Sequence, residues 1–549
     1  MALDPKHKRQ LINSLQVSYF LPSRESGVND MYLHLGFRSP PGVMKRSRVC
    51  SVWAILRLKH PLLASKVEMY DYDDIRFVWV FCVATSKCLF IGRWRRHVAP
   101  ESVLEAISSA DASLEYRSQS KDEMIETYLN GPRTLSNERL SYLVVSQQLA
   151  KDCPQSIEEA SASDLQDFDM LLCATHFLGN FIRRQNGFWF AHETYVGDGM
   201  ALHQFANDFF TLLASGRAGE DLESMLTEEW FSRWGGNKED NVSGLPSSLE
   251  TRLPPMSDGK FRRTVSRVDF ETSQAKLIGG HSFPRRSGNP RKTVVPTVFI
   301  DPEHTKMILK KCKAQSTSIS SAMFAICNIA WARTCDRNWE LPINMYSALN
   351  LRSVLTASKA LNDSYWYLAI SYFNVVLPAF IPKTASDNDI EKIFWHRARD
   401  AKNQSTRAAK SAMLVSRSYE MARERGQRAR CWAREDDEKA RGTWKAPAPS
   451  AASTNVAKKP PSAALIGLSL LGNLDGIYKH STFPDVQLHT LTTGSRQRAG
   501  GMLLFGYTFV GKSARKLWIS LGYDQGGFDI DTVERFWRNV LTAVDTLLV

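Results

Sequence analysis

A chain of 549 residues, 43% hydrophobic and 23% charged, has ordinary globular composition and length enough for two or more sizeable cores. Its formal net charge of +13 does not read as a nucleic-acid surface: the densest basic runs (Arg93–Arg96, Arg285–Arg286 and Arg423–Arg434) are short, and acids follow the last at once. There is no run of 18 apolar residues to span a membrane, the start MALDPKHKRQLINSL lacks the apolar centre of a signal peptide, and nine cysteines without a C-x-x-C pattern read as reduced structural thiols. The expectation is a soluble, cytoplasmic protein.

In chain order, a helix is expected over Arg46–Lys59, ended by the His60-Pro61 step. Aromatic-rich alternating text, VEMYDYDDIRFVWVFCV, reads as strand. Helical text runs over Ala99–Asp111 and again near Ala160, and Leu171–Thr175 reads as a short buried strand. Gly199–Ala214 has helical apolar spacing at Leu202, Phe205, Phe209 and Leu212; residues 233–262 read as a long polar loop. Thr293–Ile300 reads as a strand and Ser316–Thr334 as a buried helix. Asn344–Leu351 and Ala369–Phe380 follow as strands, then a long charged helical region over Asn388–Arg441 and a low-complexity loop over Gly442–Ala463. Strands return at Leu465–Leu471, Gly501–Phe509 and Leu517–Tyr523, and Asp531–Leu548 reads as a final helix. Mixed strands and helices without steady βαβ spacing point to an α+β fold of two lobes, each a sheet backed by helices. The expected division is residues 1–290 and 291–549.

The chemistry sits in a divided motif. Residues 171–208 read LLCATHFLGNFIRRQNGFWFAHETYVGDGMALHQFAND; without Asn180–Gly197 the ends join as ATHFLGDGMALHQFAND, placing His176 four positions before Asp198 in an H-x-x-x-D-G pattern. Acyl transfer to a hydroxyl needs a base for the proton and a carboxylate to fix the geometry around it, and this pattern after a buried strand supplies both. In the intact text Thr194 stands four positions before Asp198 and His192 six. Gly-Asn at the start of the insertion and Val-Gly at its end can encode GT and AG boundaries that rejoin one glycine codon, so eighteen in-frame codons read as a retained intron or as a surface loop.

With LRLKHPLLASKV, YLNGPRTLSNERLSYLV, ATHFLG plus DGMALHQF, SALNLRS, SYFNVVLPAFIP and LSLLGNLDGIY, the chain resembles the CoA-dependent acyltransferase superfamily of chloramphenicol acetyltransferase, the plant BAHD enzymes and peptide-synthetase condensation domains, and within it the fungal trichothecene O-acetyltransferases of the 15-O-acetyltransferase branch. The resemblance runs from about residue 30 to the end. It implies two chloramphenicol-acetyltransferase-like lobes, each a mixed β-sheet backed by helices, with a channel between them. It makes His176 the general base and Asp198 a carboxylate turned from substrate toward Arg352. Gly199 would allow the tight turn into the helix, and Asn374 would brace the second lobe. The insertion and the absence of a D-F-G-W-G element are departures from the family pattern.

The resemblance further implies acetyl-CoA or another acyl-CoA as co-substrate and a hydrophobic alcohol such as a trichothecene-like sesquiterpenoid as acceptor. No metal is expected, because the text holds no H-E-x-x-H and no paired cysteine cluster, and the scattered basic residues and the lack of a spanning run leave no nucleic-acid or membrane partner expected for what reads as a monomer. A catalytically inactive binding protein and a condensation-type enzyme using a carrier-protein thioester are the competing readings. No CoA-contacting residue is identifiable from the text. His60 and His203 read as structural. Gly506-Tyr-Thr-Phe-Val-Gly511-Lys512-Ser513 satisfies the phosphate-loop pattern literally, yet the residues between its glycines are strand formers, so a strand pair is expected there. Gly467-Leu-Ser469-Leu-Leu-Gly472 has the wrong spacing for a nucleophile elbow.

Overall fold

Leu33, Leu35 and Phe37 alternate with Tyr32, His34 and Gly36 along Met31–Ser39, and both faces of this strand are buried. The computed structural model, which describes residues 9–11, 14–79, 102–147, 165–179, 192–195, 197–234, 249–256, 259–356, 364–445, 463–497, 501–510 and 515–549, places that strand inside a five-stranded sheet. The spatial order is Gln487–Ser495, Met31–Ser39, Gln166–Ala174, Ser141–Gln147 and Leu114–Arg117; the last pairing is parallel and the others antiparallel. One face packs on the Arg46–Lys59 and Gly199–Leu213 helices, the other on Lys121–Asn130.

A second, seven-stranded sheet is built from the other half of the chain. Its order is Thr293–Val294, Arg515–Asp524, Met502–Val510, Ala464–Asn473, Ile343–Asn350 and Ile370–Leu377, with Thr297–Ile300 also paired to Arg515–Asp524. Ala464–Asn473 runs parallel to both its neighbours, and the remaining pairings are antiparallel. The Ile319–Thr334, Asp387–Ala409 and Ile530–Leu547 helices cover one face with an apolar core of their own. The fold is therefore α+β, two mixed sheets each backed by helices.

Two elements cross the expected division at residue 290. Gln487–Ser495 pairs with Met31–Ser39, and the Leu414–Ala440 helix sends Ala422, Ala429 and Ala433 into the first core. That helix lies against Ser14–Ser23 so closely that a Cβ at Gly426 would come within 2.6 Å of the Ser14 carbonyl oxygen, which is why glycine sits mid-helix there.

Some of the expected elements need correction. Thr293–Ile300 is two strands, because Pro296 has no N–H to continue the ladder. The loop expected over 233–262 contains the short helix Leu249–Arg252, anchored by buried Leu249 and Leu253, and the Lys260–Ala275 helix begins before the loop was to end. The Asn388–Arg441 region is two helices, Asp387–Ala409 and Leu414–Ala440. The expected helical text near Ala160 and nearly all of the 442–463 loop lie outside the described residues. Among the described cysteines, Cys50, Cys173, Cys312 and Cys327 are buried free thiols, Cys335 is half-buried and Cys431 is exposed; Cys82, Cys88 and Cys153 lie outside the described residues. No helix among the described residues is long and apolar enough to cross a membrane.

Candidate active site

Thr175 ends the buried strand Gln166–Ala174 and is held by Leu140, whose carbonyl accepts from the Thr175 N–H at 2.9 Å and from its hydroxyl at 3.1 Å. His176 is the next residue. It opens a four-residue strand, His176–Gly179, that pairs antiparallel with His192–Tyr195, so His176 faces Tyr195 and Gly179 faces His192 across the ladder. Part of the insertion thus returns as a strand; residues 180–191 and 196 lie outside the described residues, and His176 is described through its backbone.

Asp198 is in the position its motif requires. It is the N-cap of Gly199–Leu213: its Oδ1 accepts from the Ala201 N–H at 3.0 Å. Its Oδ2 accepts from the Ala369 N–H at 3.3 Å and from the Arg352 guanidinium at 2.5 Å. The Asp198 side chain is 2% exposed and that of Arg352 23%. The guanidinium also donates to the Tyr365 and Tyr367 carbonyls at 3.3 and 3.2 Å. Burial works against its charge, but Asp198 and Tyr367 outweigh that and its pKa is raised. One carboxylate thus caps a first-lobe helix and anchors the second-lobe segments before and after residue 360.

Gly199 meets the second lobe directly, since a Cβ there would lie 3.2 Å from Leu471 Cδ2. Gly197, buried, packs on the Trp366 ring at 3.0 Å by the same measure. Asn374 does not join this group: its Nδ2 donates to Asn344 Oδ1 at 3.0 Å, bridging two neighbouring strands of the second sheet. His60 and His203 are buried in hydrogen bonds. His60 Nδ1 is 2.9 Å from the Ser364 hydroxyl and His203 Nδ1 is 2.8 Å from the Tyr478 hydroxyl.

Burial pushes the His203 pKa down to about 3, so the folded protein keeps it neutral. The unfolded chain takes up that proton near pH 6.5, hence stability contributed by neutral His203 is present above pH 6.5 and is lost as pH falls toward 3. Between pH 6.5 and 4.5 the loss is about 2 kcal/mol. Chemical denaturation of the parent and of His203→Gln across this range should show a flatter pH dependence in the variant; parallel curves would overturn the assignment.

Several residues around the pair were not foreseen. Arg252, 1% exposed, lies with its guanidinium 3.6 Å from the centre of the Tyr367 ring, and the Arg352 guanidinium lies 5.2 Å from the same ring. The Arg252 carbonyl accepts from Thr356 N at 2.8 Å, tying the segment after Arg352 to the Leu249–Arg252 helix. Tyr365 donates from its hydroxyl to Asp208 at 2.9 Å. The run Tyr365-Trp366-Tyr367, close after NLRS, is the signal in the text that marks this corner.

A cavity of about 730 Å³ lies in the second lobe. It opens between the start of Ile319–Thr334 and the ends of Ala464–Asn473 and Met502–Val510, with Lys313, Ser318, Lys402 and Arg515 among its polar lining. Leu470 and Gly472 line it, and Leu471 between them is the residue that touches Gly199. The Lys402 ammonium donates to the Ser316 carbonyl at 2.7 Å, and Arg515 is bound to Asp475. Gly467 through Gly472 lies in a strand rather than an elbow, a Cβ at Gly467 being blocked at 2.3 Å by the Tyr346 hydroxyl. Gly506–Val510 is likewise strand, and residues 511–514 lie outside the described residues. Among the described residues no group of three or more His, Cys, Asp or Glu side chains is placed to hold a metal ion.

No family model and no curated protein sequence matches the chain. Solved structures do. The TRI3 trichothecene 15-O-acetyltransferase from Fusarium sporotrichioides superposes with a TM-score of 0.66 at 11% identity, over 98% of this chain and 94% of that one. The first condensation domain of the CDA synthetase gives 0.52 at 11% identity (98% and 97% covered), and polyketide synthase associated protein 5 from Mycobacterium tuberculosis gives 0.51 at 12% identity (98% of each). Nearly the whole chain thus shares the two-lobed chloramphenicol-acetyltransferase-like fold of an acetyltransferase and of condensation domains.

Proposed function

We propose that the chain is an acyl-CoA:alcohol O-acyltransferase, with acetyl-CoA as donor and a hydroxyl of a hydrophobic secondary metabolite, such as a trichothecene-like sesquiterpenoid, as acceptor. It would work as a cytoplasmic monomer, with the two substrates approaching His176 through a channel between the lobes. The observation that carries this reading is Asp198: a buried carboxylate would be a liability if left free, and here Arg352, Ala201 and Ala369 occupy its oxygens. His176 would take the acceptor hydroxyl proton as the oxygen attacks the thioester carbonyl. The tetrahedral oxyanion then collapses, the C–S bond breaks, and the imidazolium returns its proton to the departing thiolate. The cavity beside Leu471 supports a place for the donor: Lys313 and Lys402 suit its phosphates, and Leu470 and Tyr507 an extended, largely apolar arm.

Pairing of His192–Tyr195 with His176–Gly179 favours a second reading, a binding protein without turnover, because the insertion that keeps Asp198 twenty-two positions after His176 forms regular structure with the His176 segment. Thiol release from acetyl-CoA, measured over a panel of terpenoid alcohols with and without residues 180–197, separates the two. Absence of release from both forms overturns the enzyme reading. In whichever form turns over, Lys313→Glu is expected to raise KM for acetyl-CoA about tenfold with kcat retained, the size of one charge contact. An unchanged KM would move the donor out of this cavity, and release with a carrier-protein thioester but none with acetyl-CoA would identify a condensation-type enzyme.

A further inference from the structure

We propose that Trp366 is a positioning residue for acyl transfer: its indole sets the turn that enters Asp198, and through that turn the place from which the general base acts. Gly197, the residue before Asp198, is buried, and a Cβ there would lie 3.0, 3.1 and 3.3 Å from three atoms of the Trp366 ring system. A side chain at that position therefore displaces either the ring or the turn by a few tenths of an ångström. Conformation is not what calls for glycine, since Gly197 is not among the glycines with positive φ. The ring stands where the residue before a helix cap ordinarily packs its own side chain, and it meets Phe205 of the capped helix edge-on, with centroids 5.7 Å apart.

The ring is tied to the carboxylate it stands beside. Arg352 donates to Asp198 and to the carbonyls of Tyr365 and Tyr367, the residues on either side of Trp366. One guanidinium thus holds the carboxylate and the backbone that carries the ring in a single frame. The Trp366 N–H donates to the Ser364 hydroxyl oxygen at 3.1 Å, and that oxygen is 2.9 Å from His60 Nδ1 at the end of the Arg46–Lys59 helix, which anchors the same backbone to the first lobe. Trp366 is 1% exposed, so it offers substrate no surface and acts through the glycine it touches. The inference rests on the acyltransferase reading, in which Asp198 belongs to the motif headed by His176. Without residues 180–197 Gly179 takes the place of Gly197, three residues after His176, and a displacement at that glycine is passed to the base over one short step.

The test measures thiol release from acetyl-CoA over the panel of terpenoid alcohols, in the full chain and in the chain lacking residues 180–197, and continues with whichever turns over. The variants are alanine at the glycine before Asp198 (Gly197→Ala in the full chain, Gly179→Ala in the shortened one), Trp366→Leu, and both together. The alanine alone should lower kcat about tenfold with KM for acetyl-CoA and for the alcohol retained, the scale of loss expected when a reacting group is displaced by less than about 1 Å. Trp366→Leu alone leaves the turn unsupported and should lose a similar factor. The double variant should recover to within about threefold of the parent, because leucine frees the space that the alanine methyl fills. Trp366→Phe reads the same contact if the leucine variant does not fold. Losses that simply multiply in the double variant overturn the contact, and recovery of the melting temperature without recovery of kcat makes Trp366 a packing residue only. A rise in KM for the alcohol with kcat unchanged would put the ring in the acceptor site and overturns the proposal as well. If the parent and the shortened chain are both silent, the acyltransferase reading fails and takes this assignment with it; an active parent whose variants keep its rate overturns the assignment alone.

Discussion

Arg352→Met should lower stability by about 3 kcal/mol, the low end of what breaking a buried ion pair costs. The sign follows from which partner is left behind. Asp198 is 2% exposed, so the variant retains a carboxylate cut off from water, its remaining donors among the described residues being the Ala201 and Ala369 N–H groups. Methionine also abandons the Tyr365 and Tyr367 carbonyls that the guanidinium now bridges. Asp198→Asn should cost less. The amide still caps the Gly199–Leu213 helix, and the stranded partner is Arg352, whose side chain keeps 23% of its surface in solvent. The double variant should be less destabilised than the sum of the two, since it removes the orphaned charge along with its partner. Urea unfolding of the four proteins measures all these quantities. If Arg352→Met and Asp198→Asn both unfold within about 0.5 kcal/mol of the parent, the pair holds nothing and the site assignment built on it falls.

The parts of this site that were legible in the text are those whose local chemistry is self-contained. Asp198 precedes an apolar periodic run and caps it, as an aspartate at that place should, and Ser318 does the same for Ile319–Thr334. Arg352 and the strand after it could be placed because their motifs stand close together. The rest depends on tertiary placement. Arg252 sits in polar text with no periodicity, and the Tyr367 ring that faces its charge is brought there by the fold. Gln487–Ser495 completes the first sheet from the far end of the chain, and a register shift between Leu488 and Thr490 breaks the alternation that would have marked it as a strand. Lys260–Ala275 buries little beyond Phe270, so its apolar residues do not follow the inward-facing pattern by which a helix is ordinarily found. The cavity joins residues 313, 402, 470 and 515, a grouping that no spacing rule brings together.

Removing Asn180–Gly197 should raise acyl transfer by at least about a hundredfold over the full chain, the lower bound of what a positioned general base contributes. Both ends of the excision are already anchored in the full chain. Upstream, the Leu140 carbonyl holds Thr175 through two hydrogen bonds, fixing the residue from which His176 departs. Downstream, Asp198 is held by Ala201, Arg352 and Ala369. The junction is also chemically silent. Trp366 leaves only 3.0 Å for a Cβ at Gly197, and excision brings Gly179 to that same place before Asp198, so the required glycine is kept. What changes is the tether of His176: a strand paired to His192–Tyr195 becomes a four-residue step from the buried strand to the capped helix. In the shortened chain His176→Ala should abolish the gain while leaving the unfolding midpoint unmoved. His192 is absent from that chain and cannot substitute. Equal activity in the long and short forms, or a short form indifferent to His176→Ala, would remove His176 from the chemistry.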